Sequence, residues 1–214
     1  MRFKGWPVTA LEFYEGLEAD NSKVYWNDHK HLYEQHVRAP MEALLAELAG
    51  EFGEGKIFRP YRDVRFSADK SPYKTAMGAT VGDGYVQISA EGLFVGSGMY
   101  HLMTDQLERY RKAVDAETSG EELENLIVRL RKSGLDVHGT DPLKTAPKGF
   151  ARDHPRVEML RYRGIIAAKR FAVAAWLGTA KAKAEIVKVL KAAAPLNDWL
   201  ARNVGPSTMD EPRR

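Results

Sequence analysis

Apolar positions recur at helical spacing through the N-terminal part of the chain. Between Val8 and Leu17, apolar or aromatic residues fall at 10, 11, 13, 14 and 17, which predicts a helix with Thr9 as its N-cap. Asn21 or Ser22 is placed to cap a longer helix through Val37, whose apolar face is Tyr25, Trp26, Leu32, Tyr33 and Val37. Pro40 then kinks that helix or opens a new one, because a first-turn residue loses nothing by lacking an N–H. The new helix carries Met41, Leu44, Leu45 and Leu48 on one side, and Gly53 and Gly55 end it.

From Lys56 to Tyr100 the period changes to two. Strands are predicted over 57–66, 75–81, 85–90 and 93–100. Gly82-Asp83-Gly84 and Glu91-Gly92 form the tight turns, with Asp83 expected to accept a positive φ. The connections leave no room for crossover helices, so the strands read as an antiparallel meander. Helical spacing returns over 105–114 and again after Ser119, where Ser119 and Glu122 match a capping box. Gly134 stops that helix, and 135–138 reads as extended. The segment 165–174 reads as a strand, and Thr179 caps a basic, Ala-rich helix whose last piece starts at Pro195. The fold class is therefore α+β, an antiparallel meander covered by N- and C-terminal helices. A single domain over 1–204 is expected, with a disordered tail from Gly205.

Composition narrows the class. The chain has 214 residues, 44% of them hydrophobic, enough for a real core. It has no cysteine, which removes disulfides and thiolate chemistry and suits a reducing compartment. No apolar run is long enough to span a bilayer and the start does not read as a secretory signal, so a cytoplasmic protein with no membrane partner is expected. The formal charge of +3 is small for a dedicated nucleic-acid binder.

That modest charge is locally concentrated. Residues 59–75, RPYRDVRFSADKSPYKT, hold five cations against Asp63 and Asp69. On a strand, Arg65 would present its fork beside Asp63, while Arg62 would lie on the other face. Ser67 and Asp69 favour a turn, and Pro72 holds Ser71 extended, which orders Lys70, Tyr73 and Lys74 before any partner arrives. Arginine offers bidentate bonds and lysine a mobile point charge, a combination suited to phosphate or carboxylate. The candidate ligand-binding residues are Arg62, Asp63, Arg65, Lys70, Tyr73 and Lys74. A structural Arg–Asp network explains the same pattern, and in that case a partly buried Asp63–Arg65 pair is expected.

Other features carry less. Gly96 and Gly98 lie on the strand face of Phe94, opposite Ser97, and admit either a ligand or a packed helix. His29 and His36 are one helix face apart by about 10.5 Å of rise, too far to share a metal, so no metal site is expected and no cofactor is identified. His29 reads as a hydrogen-bonded structural residue. Lys148, Arg152, His154 and Arg156 form a second basic patch, where Asp153 and His154 offer acid–base chemistry or simply start a short helix.

Three stretches, FRPYRDVRFSADKSPYKT, VQISAEGLFVGSGMY and LKTAPKGFARDHPR, together with the earlier NSKVYWNDHKHLY, resemble a bacterial family of conserved proteins, domain-of-unknown-function family 2461. The resemblance runs from about Phe13 to Phe171. It departs from the family pattern where an acid precedes Trp-Phe, since Val24, Tyr25 and Trp26 stand here; no acid at 24 takes part in any chemistry. The resemblance implies an α+β domain and carries no activity, cofactor or substrate with it.

Two functional readings follow. In the first, the basic motif binds, and conceivably processes, a small phosphate- or carboxylate-bearing ligand; Asp63 is its one obvious base, and no nucleophile stands out. In the second, the chain is a non-catalytic module for nucleic acid or an acidic protein partner. Convergent cations in a concavity favour the first, and a flat basic surface with splayed aromatics favours the second.

Overall fold

A computed structural model describes residues 2–65 and 67–209. Helix α1 spans Val8–Ala19 and α2 spans Lys23–Leu32. Ser22 caps α2 as expected, its hydroxyl accepting from the Tyr25 N–H at 3.1 Å. The N-cap of α1 is Pro7 rather than Thr9.

Pro40 stands in the first turn of a new helix, one of the two outcomes expected for it. The backbone stays helical through Tyr33–Arg38, which is π-helical, and into α3, Ala39–Phe52. A proline cannot donate to the carbonyl four residues back, and its ring crowds that carbonyl; a wider π turn just before it relieves both problems. The Trp6 indole donates to the Val37 carbonyl of this segment at 3.3 Å, in a buried position.

Strands β1 (Gly55–Ile57), β2 (Ala76–Val81), β3 (Gly84–Ser89) and β4 (Gly92–Met99) follow. The first expected strand, 57–66, thus overlaps β1 only at Ile57; β1 begins two residues earlier, and the next strand starts at Ala76. The antiparallel meander is otherwise as read, with β1 and β2 paired Lys56 to Thr80, and β2 and β3 paired Gly78 to Gln87. The Gly82 turn differs in detail. The positive φ, +51°, falls on Gly82 rather than on Asp83, as in a two-residue turn with glycine first.

Two more strands complete an antiparallel sheet, β5 (Asp136–Gly139) and β6 (Ile165–Phe171), in the order β1-β2-β3-β4-β6-β5. Helix α4 spans Thr104–Asp115 and α5 spans Glu117–Lys132. The expected capping box fails because α5 begins earlier, and the Ser119 hydroxyl instead donates to the Ala113 carbonyl at 2.6 Å. A short α6 (Val157–Leu160) precedes β6, and α7 runs unbroken from Lys181 to Asn203 with Pro195 inside it. Among the described residues no helix is long and apolar enough to cross a membrane.

The chain forms two compact units, Met1–Val95 with Arg170–Lys188, and Gly96–Lys169 with Val189–Arg214. In the first, α3 lies on the face of β1 and β2 that carries Met77, Ala79 and Val81, and α1 lies against β3. Gly55 is needed there, since a Cβ would lie 2.5 Å from the Thr80 carbonyl oxygen and 2.8 Å from Leu45. In the second, α4 and α5 pack together around Tyr110, Leu123 and Trp199. The C-terminal segment expected to be disordered is tied to α4 over residues 205–209: Gln106 donates to the Gly205 carbonyl at 2.9 Å, and Asp105 accepts from Ser207 and Thr208. Residues 210–214 of that segment lie outside the described residues.

Candidate functional site

The basic motif is a long loop closed at its neck. Tyr61 and Tyr73 form an antiparallel bridge, flanked by Arg62 N–H to the Pro72 carbonyl at 2.9 Å and Lys74 N–H to the Pro60 carbonyl at 2.8 Å. Asn21, just before α2, clasps the neck from the side. Its Oδ1 accepts from the Tyr73 N–H at 3.0 Å and its Nδ2 donates to the Tyr73 carbonyl at 3.1 Å. The Tyr73 ring is 4% exposed and stacks on Trp26, centroids 4.3 Å apart and planes 7° from parallel. Tyr73 is therefore the loop's anchor in the core, with its ring facing Trp26. Burial raises its phenol above the ordinary range.

Within the loop the charges satisfy one another. Arg65 grips Asp63 with two nitrogens, Nη2 to Oδ2 at 2.7 Å and Nε to Oδ1 at 2.9 Å. The expected partial burial of this pair does not hold, because the side chains are 67% and 42% exposed. With 58–65 outside the named strands, both side chains stand well exposed to solvent. Arg62 pairs with Asp69, which also accepts from the Ser71 N–H at 2.8 Å and hydroxyl at 2.6 Å. Lys70 Nζ donates to the Val64 carbonyl at 3.0 Å. The Arg65 fork holds the Asp63 carboxyl at about 2, and the Ser71 hydroxyl and N–H, with Arg62, hold Asp69 at about 2. The strand predicted to end at Phe66 ends on a residue outside those described.

Lys74 stands apart. Among the described residues no carboxylate pairs with it or with Arg59. Its ammonium lies over the Phe58 ring, 5.6 Å from the centroid, within cation–π reach. Partial burial, then the nearby Arg59 guanidinium, push its pKa below the ordinary lysine range. Both causes disfavour the charged form, whereas a nearby anion favours it. Six residues were singled out from sequence; the loop brings them together, and Lys74 is the cation among them whose head meets a ring rather than a carboxylate or carbonyl among the described residues. Arg59 was not in that set. The signal for it was its place one residue past Phe58 at the loop neck, visible only once the neck is known.

The remaining candidates resolve into structure. Gly98 has φ +130° and a Cβ there would lie 2.4 Å from the Ile165 carbonyl, so the neighbouring strand makes the close approach. The helix packs on the opposite side, where Asn197 of α7 donates to the Ser97 hydroxyl at 2.8 Å. His29 bonds to the Tyr25 carbonyl at 2.9 Å and stacks on the Tyr25 ring, a structural role. His154 meets Asp115 at 3.1 Å, and Arg156 meets Glu124 at 2.8 Å, which ties the second basic patch to α4 and α5. No group of three His, Asp or Glu side chains able to hold a metal occurs among the described residues.

Comparison with curated proteins and with solved structures finds no match. The conserved hypothetical proteins of family DUF2461 match residues 9–199, nearly the whole of both units and all of the basic loop, and the chain belongs to that family.

Proposed function

We propose that the first unit binds a small phosphate- or carboxylate-bearing ligand at the corner made by Lys74 and Arg59, with the closed loop of Arg62, Asp63, Arg65 and Lys70 as its rim. One observation carries this reading: Lys74 is half-buried, has no carboxylate partner among the described residues, and lies near a second cation, Arg59. A desolvated cation normally finds a counter-charge, and a solvent-borne anion supplies it. The loop's own ion pairs keep Arg62 and Arg65 from collapsing onto the ligand and hold the rim open. An oxyanion bridging two cations gains charge-assisted bonds of about 1.5–3 kcal/mol each.

Calorimetric titration of orthophosphate, sugar phosphates, nucleotides and dicarboxylates tests it. The parent is expected to bind at least one class at millimolar concentration or tighter, and Lys74→Ala to bind it about tenfold to a hundredfold more weakly with an unchanged Tm. Equal binding by the variant, or none by the parent, would sink the site.

A further inference from the structure

The sheet face turned away from α1 and α3 carries a row of rings with cations at its ends. Phe58, 39% exposed, lies 6.1 Å from Tyr85, and Tyr85 lies 6.1 Å from Phe94. Lys74 sits over Phe58 at one end, and Arg170 of β6 sits 4.8 Å above Phe94 at the other. Gly78 permits the row: a Cβ there would lie 2.1 Å from the Tyr85 hydroxyl, so only glycine lets that ring lie flat across β2.

The charge pattern of this face is one-sided. Register places Lys56 on it, opposite Thr80 and in line with Tyr85. The other positions on this face of β2 and β3 are Ala76, Gly78, Thr80, Gln87 and Ser89, and none is acidic. The whole chain has 29 acids against 32 Lys and Arg, so the stretch of this face over β1, β2 and β3, which carries cations and no acid, is not an average sample of it; the face's acid, Asp136, stands on β5 opposite Ala168.

The geometry points to a single-stranded nucleic acid as the occupant of this face, with bases stacked on Phe58, Tyr85 and Phe94 and phosphates at Lys74, Lys56 and Arg170. Two considerations separate this from other polyanions. The rings, at intervals of 6.1 Å and tilted 35° between Phe58 and Tyr85 and 62° between Tyr85 and Phe94, offer π faces on which bases stack and carboxylate side chains do not. Cations at both ends match a repeating anion rather than a single one. Arg170 and Lys74 now cover the outer rings, and each can swing from ring to phosphate at little loss, because an exposed cation–π contact is weak. The inference rests on the anion corner at Lys74 and extends it along the sheet.

The test is fluorescence anisotropy with a labelled ten-nucleotide oligouridylate, alongside linear polyphosphate and an oligoglutamate as competitors. The parent is expected to prefer the oligonucleotide to either competitor by about tenfold or more. Affinity should fall with salt at a log–log slope of about −2 for three phosphates. Phe94→Leu keeps the apolar volume but removes the flat ring and is expected to weaken binding about tenfold, as is Arg170→Gln. Circular dichroism melting confirms that each variant folds, and Tyr85→Leu serves if Phe94→Leu does not. Equal capture of polyphosphate, indifference to Phe94→Leu and Arg170→Gln, or tighter binding of oligoglutamate each overturns the inference. If orthophosphate still binds the parent and not Lys74→Ala, the anion corner survives that result; if neither phosphate nor oligonucleotide binds, both fall.

Discussion

At the scale of single residues, pairing decides what a charge can do. The basic loop looks like a concentrated positive patch in sequence, yet Asp63 and Asp69 absorb two of its arginines, and a backbone carbonyl absorbs Lys70. Both aspartates are held at about 2, first by the Arg65 fork and by the Ser71 bonds respectively. Their unfolded values lie at about 3.9, so the folded pKa is the lower one in each case. The stabilisation they give is present above about pH 4 and is lost as pH falls through about 2. A carboxyl-detected NMR titration should therefore show both protonating near pH 2, with the midpoints drifting upward in high salt because the pairs face solvent. Midpoints near 4 at low salt would contradict these contacts. For the same reason Arg65→Met should leave the unfolding midpoint where it is, since an exposed ion pair contributes little to global stability.

At the scale of elements, the periodicity of two located three meander strands closely and misjudged the fourth. The run 57–66 alternates well enough to read as a strand, but Pro60 cannot extend a ladder, and Asp63 and Ser67 bond locally instead. Alternation reports which face a residue takes, and a bridged loop neck such as Tyr61 to Tyr73 produces it as well as a strand does. The helical stretch around Pro40 was legible as a helix and as a disturbance, but not as a π segment, because the register of backbone hydrogen bonds leaves no mark on apolar spacing; nor was its tie to Trp6, thirty-one residues from Val37 in sequence. That contact yields a prediction. Trp6→Phe retains most of the buried ring but removes the indole N–H that bonds the Val37 carbonyl, and it should lower stability by about 1–3 kcal/mol in urea unfolding. No change in the urea midpoint would show that the carbonyl finds its partner elsewhere.

At the scale of the whole molecule, the α+β class and the meander were readable because they rest on local periodicity and turn chemistry. The placement of β6 between β4 and β5 was not, since it depends on pairing between segments far apart in the chain. The same limit applied to the candidate site. Its location at residues 59–75 was plain from composition, but the division of labour inside it was not. Which cations are spent and which remain available depends on Asn21 and Trp26 closing the loop neck from another element. The loop's paired charges are thus distinct from Lys74, which has Arg59 as its cationic neighbour at the neck.

Lysine-selective NMR of the Lys74 ammonium, titrated with base in the absence and presence of orthophosphate, tests that arrangement most directly. The free protein is expected to titrate Lys74 below the ordinary lysine range, through partial burial and then the neighbouring Arg59. Phosphate should move that midpoint upward, because a bound anion favours the charged form, and its affinity should fall as pH rises through the Lys74 midpoint. A Lys74 that titrates as an ordinary surface lysine and does not respond to phosphate would contradict the account.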